Sequence, residues 1–278
     1  MIEEFIRVIT TYAFMERALI AAILVGLIAG IIGGLMILRG LSLMGDAIGH
    51  SVLPGVAISH LLGIPHVIGA ATFGILASLL IGFITDKTTL KKDTVLGLVF
   101  SSFFALGLVM IAQIRTMTDL HHILFGNILT IRQTDITNLM WVAIAIICLV
   151  IIFYKELLLT AFDEQSAAIY GIKTKIIHYL FLFILTIVIV LAIQIVGVIL
   201  IVAMMITPAA TAYLLTSRMH YLLILSTLLS VSASIVGVFL SLQLNVSAGA
   251  AIVLTSFVSF LITFALAPRQ GLLAKFIK

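Results

Sequence analysis

Residues 41–55, LSLMGDAIGHSVLPG, place an aspartate and a histidine four positions apart in a chain that is otherwise apolar. Hydrophobic residues make up 63% of the 278 residues and charged residues 9%, and the mean hydropathy is +1.35. So few charges do not cover the surface of a water-soluble domain, and the composition therefore indicates a membrane protein. Asp46 and His50 need a reason to be there, because a charged aspartate in the hydrocarbon core costs about 2.5–3.5 kcal/mol or more.

Apolar stretches of spanning length follow one another along nearly the whole chain. A spanning helix needs about 20 mainly apolar residues, so the pattern predicts an all-α polytopic membrane protein with eight or nine transmembrane helices. Two of the spans are short and contain Pro54 and Pro208, which is why the count stays open. Residues 1–16 are predicted to form an N-terminal segment at the membrane interface. The predicted spans are 18–38, 46–62, 66–84, 94–114, 136–154, 178–198, 199–216, 221–241 and 247–266.

Lysine and arginine residues are divided unevenly between the two sides of the predicted bundle. If the loop 87–92 is cytoplasmic, the alternation of spans places 11 of the 15 Lys and Arg residues on that side. Cytoplasmic loops carry an excess of these residues, so the bias predicts the orientation. It also accounts for the net charge of +4 without a nucleic-acid partner. The eleven residues are Arg39, Lys87, Lys91, Lys92, Lys155, Lys173, Lys175, Arg218, Arg269, Lys275 and Lys278.

Asp46 is the acidic residue that the sequence places inside a span. Counted from Arg39 at about 1.5 Å per residue, it lies roughly 10 Å deep and His50 roughly 16 Å deep, near the midplane of a core about 30 Å thick. The i,i+4 spacing puts both side chains on one helix face. Carboxylate and neutral imidazole suit manganese, iron or zinc. Two ligands are too few for tight binding, whereas a two-fold axis beside this helix would double them.

Two other interpretations of the pair remain open at this point: an Asp–His pair that satisfies itself within the bundle, and a proton relay. The residues around the pair favour close packing and an irregular helix. Gly45 and Gly49 flank Asp46 at small-xxx-small spacing, and we expect both to lie near the two-fold axis. Pro54 lacks an N–H and so removes the usual helical partner of the His50 carbonyl. We therefore expect a bend or break close to the pair.

The other histidines give weaker signals. His60 follows His50 by ten positions and is predicted to lie near the outer mouth, either as a transient metal contact or as a hydrogen-bonded histidine. His121 and His122 are adjacent in the segment TDLHHILFGNIL. Their spacing is poor for chelation from one helix face, and the sequence does not decide between contact with a binding protein and gating.

A short helix is predicted between the spans that end at 154 and begin at 178. Asp163 suits an N-cap, Glu164 suits a first turn, and Gly171 suits the residue that ends the helix. From these residues alone the segment is either an ordinary solvated helix or a docking element. The sequence contains no G-x-x-x-x-G-K-[ST] loop, so the chain is predicted not to be an enzyme and not to bind nucleotide itself. Cys148 is a single cysteine in an apolar run, which excludes a disulfide framework.

Three motifs, LMGDAIGHSVLPGVAIS at 43–59, TDLHHILFGNIL at 118–129 and LIVAMMITPAATAYLL at 200–215, resemble one known family. The chain is similar, from about residue 16 to about residue 267, to the membrane permease of ABC-type manganese, zinc and iron importers, and it looks most like the manganese permeases of Gram-positive bacteria. The resemblance implies a type II ABC importer fold, with residues 1–278 as a single permease domain that works as a homodimer in the bacterial plasma membrane.

The resemblance also implies roles for residues and partners. The metal pair of the family falls on Asp46 and His50, and residues 160–175 correspond to the coupling helix that docks on the ATPase. The implied partners are a second copy of the chain, a cytoplasmic ABC ATPase dimer, an extracellular metal-binding lipoprotein and membrane lipid. No cofactor is bound permanently, and the transported ion is Mn²⁺, with Zn²⁺ or Fe²⁺ as alternatives. The alternatives from other classes are a proton-coupled secondary cation transporter and a membrane scaffold that transports nothing.

Overall fold

A computed structural model describes residue 7, residues 11–114, residue 126 and residues 131–267. All regular secondary structure in these residues is helical, which confirms the predicted all-α class. The helices, in chain order, are α1 (Ala13–Leu38), α2 (Met44–Ser51), α3 (Leu53–Leu62), α4 (His66–Lys87), α5 (Lys92–Ile114), α6 (Gln133–Ile152), α7 (Tyr154–Phe162), α8 (Glu164–Ile169), α9 (Thr174–Leu215), α10 (Met219–Leu244) and α11 (Ala248–Leu266).

Seven of these helices are long and apolar enough to cross a membrane: α1, α4, α5, α6, α9, α10 and α11. The predicted span 46–62 corresponds to the two short helices α2 and α3, and the predicted spans 178–198 and 199–216 both lie within α9. The total of eight or nine crossings stays a prediction. Of the predicted interfacial segment 1–16, residues 13–16 already belong to α1, and residues 1–6 and 8–10 lie outside the described residues.

Helix α9 is too long for one straight crossing. It has 42 residues, about 63 Å at 1.5 Å per residue, against a hydrocarbon core of about 30 Å. At Gly197 the backbone has φ 79° and ψ 165°, a conformation that is essentially restricted to glycine.

Contacts with α1 show that α9 reverses its direction at this glycine. The Arg39 guanidinium lies 4.7 Å from the Phe181 ring centroid, and the Met205 carbonyl lies against Gly33. Residues 181 and 205 would be about 36 Å apart on a straight helix, whereas Gly33 and Arg39 are only about 9 Å apart along α1. The two halves of α9 therefore run antiparallel.

Helix α1 packs against α9 and α10 along its glycines. The Ser226 hydroxyl of α10 donates to the Gly30 carbonyl at 2.7 Å, and a Cβ on Gly30 would lie 2.5 Å from the Thr227 Cα. Small residues allow this close approach, which matters because lipid provides no hydrophobic drive for helices to associate. Helices α2 and α3 lie against α4, α5 and α9, and these neighbours position the Asp–His pair.

The helix ends that are rich in lysine and arginine gather at one end of the molecule, called here the basic end. Arg39 at the end of α1 donates to Thr160 of α7 at 2.7 Å, and Tyr179 near the start of α9 donates to Asp86 near the end of α4 at 3.3 Å. Lys92 at the start of α5 lines the same cavity as Arg39. This grouping agrees with the division of charge in the sequence. Arg269, Lys275 and Lys278 lie outside the described residues.

Candidate metal-binding site

Asp46 and His50 lie one turn apart on α2. The chain turns over residues 39–43 before this helix begins, so Asp46 lies in the first turn of α2. Because these residues are not helical, a count from Arg39 at the helical rise does not measure the depth of the pair. Its depth has to be judged from the helix that packs beside it.

That neighbouring helix is α5, and it places His50 near mid-depth. The His50 ring packs edge-on against Phe100 and Phe104, with centroid distances of 5.4 and 5.3 Å. These two phenylalanines lie about 12 and 18 Å along α5 from Lys92 at 1.5 Å per residue. The helix has 23 residues, so both rings belong to its middle part.

The predicted break in the helix is present, two residues beyond His50. Helix α2 ends at Ser51 and α3 begins at Leu53, with Pro54 in its first turn. The Val52 N–H donates to the His50 carbonyl. Pro54 also packs closely on α5, since its Cδ would lie 3.1 Å from a Cβ placed on Gly107.

The separation of the two side chains matches that of two ligands on one metal ion. His50 Nε2 lies 3.4 Å from Asp46 Oδ1. For metal–ligand distances of about 2.1 Å, two ligand atoms are about 3.0 Å apart at a right angle and about 3.4 Å apart at a tetrahedral angle. Nε2 and Oδ1 therefore already have the spacing of adjacent ligands, and a metal ion between them needs no large movement of either side chain.

The pair does not satisfy both nitrogens of the imidazole. Nδ1 of His50 is buried and has no hydrogen-bond partner among the described residues, while Nε2 faces Asp46. A buried polar atom without a partner is costly and uncommon in native structures. An Asp–His pair whose only purpose is mutual hydrogen bonding therefore accounts poorly for this arrangement.

The face of α2 that carries the pair is open in the single chain. The Asp46 side chain is 49% exposed, His50 is 20% exposed, and Leu43, three residues before Asp46, is 54% exposed. Positions 43, 46 and 50 lie on one side of the helix. No cluster of three or more His, Cys, Asp or Glu side chains with metal-binding geometry occurs among the described residues. The described part of one chain thus offers Asp46 and His50 as two ligands on an open face.

The two glycines beside Asp46 have different surroundings. A Cβ on Gly49 would lie 2.9 Å from Val198 of α9, so this glycine is buried against its own chain. A Cβ on Gly45 would have only the Met36 sulfur nearby, at 3.9 Å. The expectation that both glycines lie beside a two-fold axis therefore needs correction for Gly49, whose close packing is within the chain.

His60 does not join the pair. It lies near the end of α3, about 15 Å along the chain axis from His50, and its exposed ring is nearly parallel to that of His66, with 5.9 Å between the centroids. His121 and His122 lie outside the described residues.

A cavity of about 590 Å³ approaches the pair from the end opposite to the basic end. His66, Arg132 and Asp135 lie at its rim, where α4 and α6 begin, while Val52 and Val56 line its apolar part. Val52 follows His50 by two residues. Asp46 and His50 themselves do not line the cavity, so it ends close to the pair along the chain without containing it.

The short helix α8 has the predicted caps. The Asp163 carboxylate accepts from the Gln165 and Ser166 N–H groups at 3.0 Å each, and the Ser166 hydroxyl also donates to it. These hydrogen bonds, with Ser166 first, hold the pKa of Asp163 below its usual value. Gly171 has φ 81° and its N–H donates to the Ala168 carbonyl at 3.0 Å, which ends the helix.

Large apolar side chains beside α8 are exposed. Ile169 is 85% exposed and Tyr170 is 77% exposed, and Phe162 on the other side of the cap is also exposed. Contiguous exposed apolar side chains on a polar loop are typical of a protein–protein contact. The segment 160–175 therefore combines the end of α7 and the whole of α8 with an apolar surface that the described residues do not cover.

Two features of this region are absent from the predictions made from the sequence. The phenylalanine walls of His50 come from the run VFSSFFALG at 99–107, where aromatic residues four positions apart on one face were a usable signal. The hydrogen bond between Arg39 and Thr160 joins positions 121 residues apart, and no local pattern indicates it.

Comparisons with known proteins agree with this architecture. Residues 11–267 match the ABC 3 transport family. The chain is 49% identical over 269 residues to the manganese transport system membrane protein MntC of Listeria monocytogenes, covering 97% of this chain and 96% of that protein. It is 49% identical over 278 residues to the manganese import system permease protein ScaB of Streptococcus gordonii, with both chains covered completely.

A solved structure is similar over the same length. The structure of PsaBC from Streptococcus pneumoniae in complex with Fab has a chain that is 48% identical, with a TM-score of 0.89, covering 99% of this chain and 100% of that chain. The family match extends over far more than half of the residues, and each of these relatives matches over at least 96% of both chains. The chain therefore belongs to the ABC 3 transport family.

Proposed function

We propose that this chain is the membrane permease of an ATP-driven importer for a divalent transition metal, with manganese as the favoured cargo. The observation that carries the proposal is the 3.4 Å approach of His50 Nε2 and Asp46 Oδ1 on the open face of a broken helix near mid-depth. The names of the relatives, which are manganese transport and import proteins, support the choice of metal.

The chemistry of the pair suits a transient site. A hydrated divalent ion that enters the membrane must exchange water for protein ligands, and Asp46 supplies charge and a hard oxygen while His50 supplies nitrogen. Affinity should be modest, because an ion held tightly at mid-depth would not leave. Imidazole binds metal only when it is neutral, so binding should weaken at acidic pH.

A second copy of the chain would complete the ligand set. Two copies with the faces of Leu43 and Asp46 toward each other would contribute two aspartates and two histidines to one ion. A carboxylate that is exposed at this depth must also be shielded from lipid, and a partner subunit would shield it. This argument supports a homodimer with Leu43 near the two-fold axis.

The chain is a multi-pass protein of the bacterial plasma membrane, and the helices suggest nine crossings. Seven helices are long and apolar enough to cross a membrane. Helix α9 counts as two crossings because it reverses at Gly197, and α2 with α3 counts as one more, so the total is nine. In this arrangement the basic end is cytoplasmic, and residues 1–278 form one permease domain.

The proposed partners bind at the two ends of the molecule. At the basic end, α8 and its exposed Ile169 and Tyr170 are proposed to dock on a cytoplasmic ABC ATPase, as a coupling helix. At the other end, the cavity beside His66 and Asp135 is proposed to receive the ion from an extracellular metal-binding lipoprotein.

Uptake of radiolabelled manganese into reconstituted vesicles tests the proposal. Vesicles that contain the permease, the ATPase and the binding lipoprotein should accumulate manganese only when ATP is present. Zinc and ferrous iron added as competitors decide between the alternative cargoes. Uptake by the permease alone under a pH gradient would instead identify a proton-coupled secondary transporter, and no uptake under any of these conditions would contradict transport altogether.

A further inference from the structure

Arg39 lies at the junction of three elements at the basic end. It follows the last residue of α1 and begins the turn 39–43 that leads into α2. Its Nη2 donates to the Thr160 hydroxyl of α7 at 2.7 Å, and its guanidinium lies over the Phe181 ring of α9 at 4.7 Å from the centroid. One side chain therefore touches both α7 and α9 from the turn before the metal-binding helix.

These contacts hold a cation that is largely removed from water. Burial lowers the pKa of Arg39 to about 10, and the negative charge of Glu164 on α8 opposes that shift. The residue stays protonated at neutral pH. Its Nε is buried and has no hydrogen-bond partner among the described residues, so the Thr160 hydroxyl and the Phe181 face are the specific partners that offset the loss of hydration.

The link continues into the backbone of α7. The Thr160 hydroxyl donates to the Glu156 carbonyl at 2.7 Å while it accepts from Arg39, which fixes the direction of its proton. Helix α7 ends at Phe162, and α8 starts after the Asp163 cap. Thr160 lies three residues before Asp163, so a displacement of α8 would reach Arg39 through the last residues of α7.

Two non-helical joints lie close to the Arg39–Thr160 hydrogen bond. The turn 39–43, which begins with Arg39, separates α1 from α2, and Asp163, three residues after Thr160, separates α7 from α8. Joints of this kind absorb the backbone changes of hinge movements. The Arg39–Thr160 hydrogen bond connects one joint with the other across 121 positions of sequence.

We infer that Arg39 is a positioning residue that transmits movement of α8 to α2 and so couples the ATPase to Asp46 and His50. The inference rests on the proposed function, since it takes α8 as the docking element. Arginine suits this role because its planar fork donates to Thr160 while its face stacks on Phe181, which a lysine ammonium does not reproduce.

The test uses the complete transporter in vesicles and measures manganese uptake and ATP hydrolysis together. For Arg39→Gln and for Thr160→Val, ATP hydrolysed per imported ion should rise by about tenfold, because uptake falls while hydrolysis continues. Arg39→Lys should give a smaller rise. The double variant should be no worse than Arg39→Gln alone, since both changes remove the same hydrogen bond.

Controls separate coupling from damage to the fold. Arg218→Gln removes a positive charge from an exposed residue at the same end and should leave the ratio of ATP to ion unchanged. Manganese affinity of the detergent-solubilised complex, association with the ATPase and the thermal midpoint should all be retained in Thr160→Val. An unchanged ratio in both Arg39→Gln and Thr160→Val would overturn the inference, as would additive effects in the double variant.

A further pair of variants distinguishes this inference from the proposed function. Ile169→Ser with Tyr170→Ser should release the ATPase from the permease if α8 is the docking element. Retained ATPase association in that variant means that the assignment of α8 fails. Lost association, together with a normal ratio in Arg39→Gln, means that docking is correct and the role of Arg39 is wrong.

Discussion

Each ligand side chain of the candidate site depends on different neighbours. His50 is held edge-on by Phe100 and Phe104, so its ring is oriented by apolar contacts rather than by a second polar partner. Asp46 is half exposed on the open face of α2. A packed imidazole beside a half-exposed carboxylate suits an ion that must bind and then leave, because the site is not closed on every side.

Asp46→Asn and His50→Ala should each reduce manganese uptake by about 100-fold or more, beyond the 10- to 100-fold typical of residues that only support ligands. Each change removes one member of the proposed pair of ligands. The assay is radiolabelled manganese uptake in vesicles with the ATPase and the binding lipoprotein present. Membrane insertion, dimer assembly and ATPase association should be retained, and near-normal uptake by both variants would mean that the pair is structural.

At the scale of elements, function depends on where helices are interrupted. The chain breaks between α2 and α3 beside His50, reverses within α9 at Gly197, and bends at Asp163 before α8. Inside a membrane, irregular backbone is tolerated where protein covers it or where it lines a cavity. The first interruption lies beside the Asp46–His50 pair, the second precedes Val198, which packs on Gly49, and the third lies in the proposed docking segment.

Gly197→Ala should lower the free energy of unfolding by about 1–3 kcal/mol, because φ 79° with ψ 165° is strained for any residue with a Cβ. The thermal midpoint of the detergent-solubilised protein measures the effect. Gly97→Ala is the matched control: this glycine is helical and a Cβ there meets no atom within 4 Å, so the change should be neutral or slightly stabilising. Equal midpoints for the two variants would mean that the reversal carries no strain.

Deletion of residues 163–171 should uncouple ATP hydrolysis from transport while the membrane helices stay folded, because the large apolar side chains at the end of α8, Ile169 and Tyr170, are exposed. Replacement of Gly171 by alanine should have the same effect in weaker form, since φ 81° favours glycine. ATPase association and uptake are measured together. Normal values for both in the deletion variant would contradict the assignment of the coupling helix.

At the scale of the whole molecule, the two ends differ in the residues that they gather. The basic end gathers Arg39, Lys92 and α8 beside exposed apolar side chains, whereas the opposite end holds the cavity that leads toward Val52. The candidate site lies between the two, on a face that is open in one chain. In the proposed homodimer, the second copy of the chain would cover this face.

A cysteine at position 43 should form a cross-link between two copies of the chain. Leu43 is exposed on the face of Asp46, whereas Gly49 packs within the chain. The experiment needs the Cys148→Ser background, because Cys148 is itself exposed. Leu254→Cys, at an exposed position of α11, serves as the control that should not cross-link. Equal cross-linking at both positions, or none at position 43, would contradict the proposed two-fold axis.

The sequence by itself determined the all-α class, the basic side, the Asp46–His50 pair and the cap at Asp163, because composition, helical spacing and capping are local properties that adjacent residues specify. Only the tertiary structure decided the reversal of α9 at Gly197, the phenylalanine walls of His50, the burial of Gly49 against Val198 and the hydrogen bond from Arg39 to Thr160. Each of these depends on contacts between residues far apart in the chain, and in a sequence so uniformly apolar nearly every helix face offers the same hydrophobicity. Hydrophobic patterning therefore does not select which faces meet, and close packing of small residues with a few buried polar contacts makes that choice.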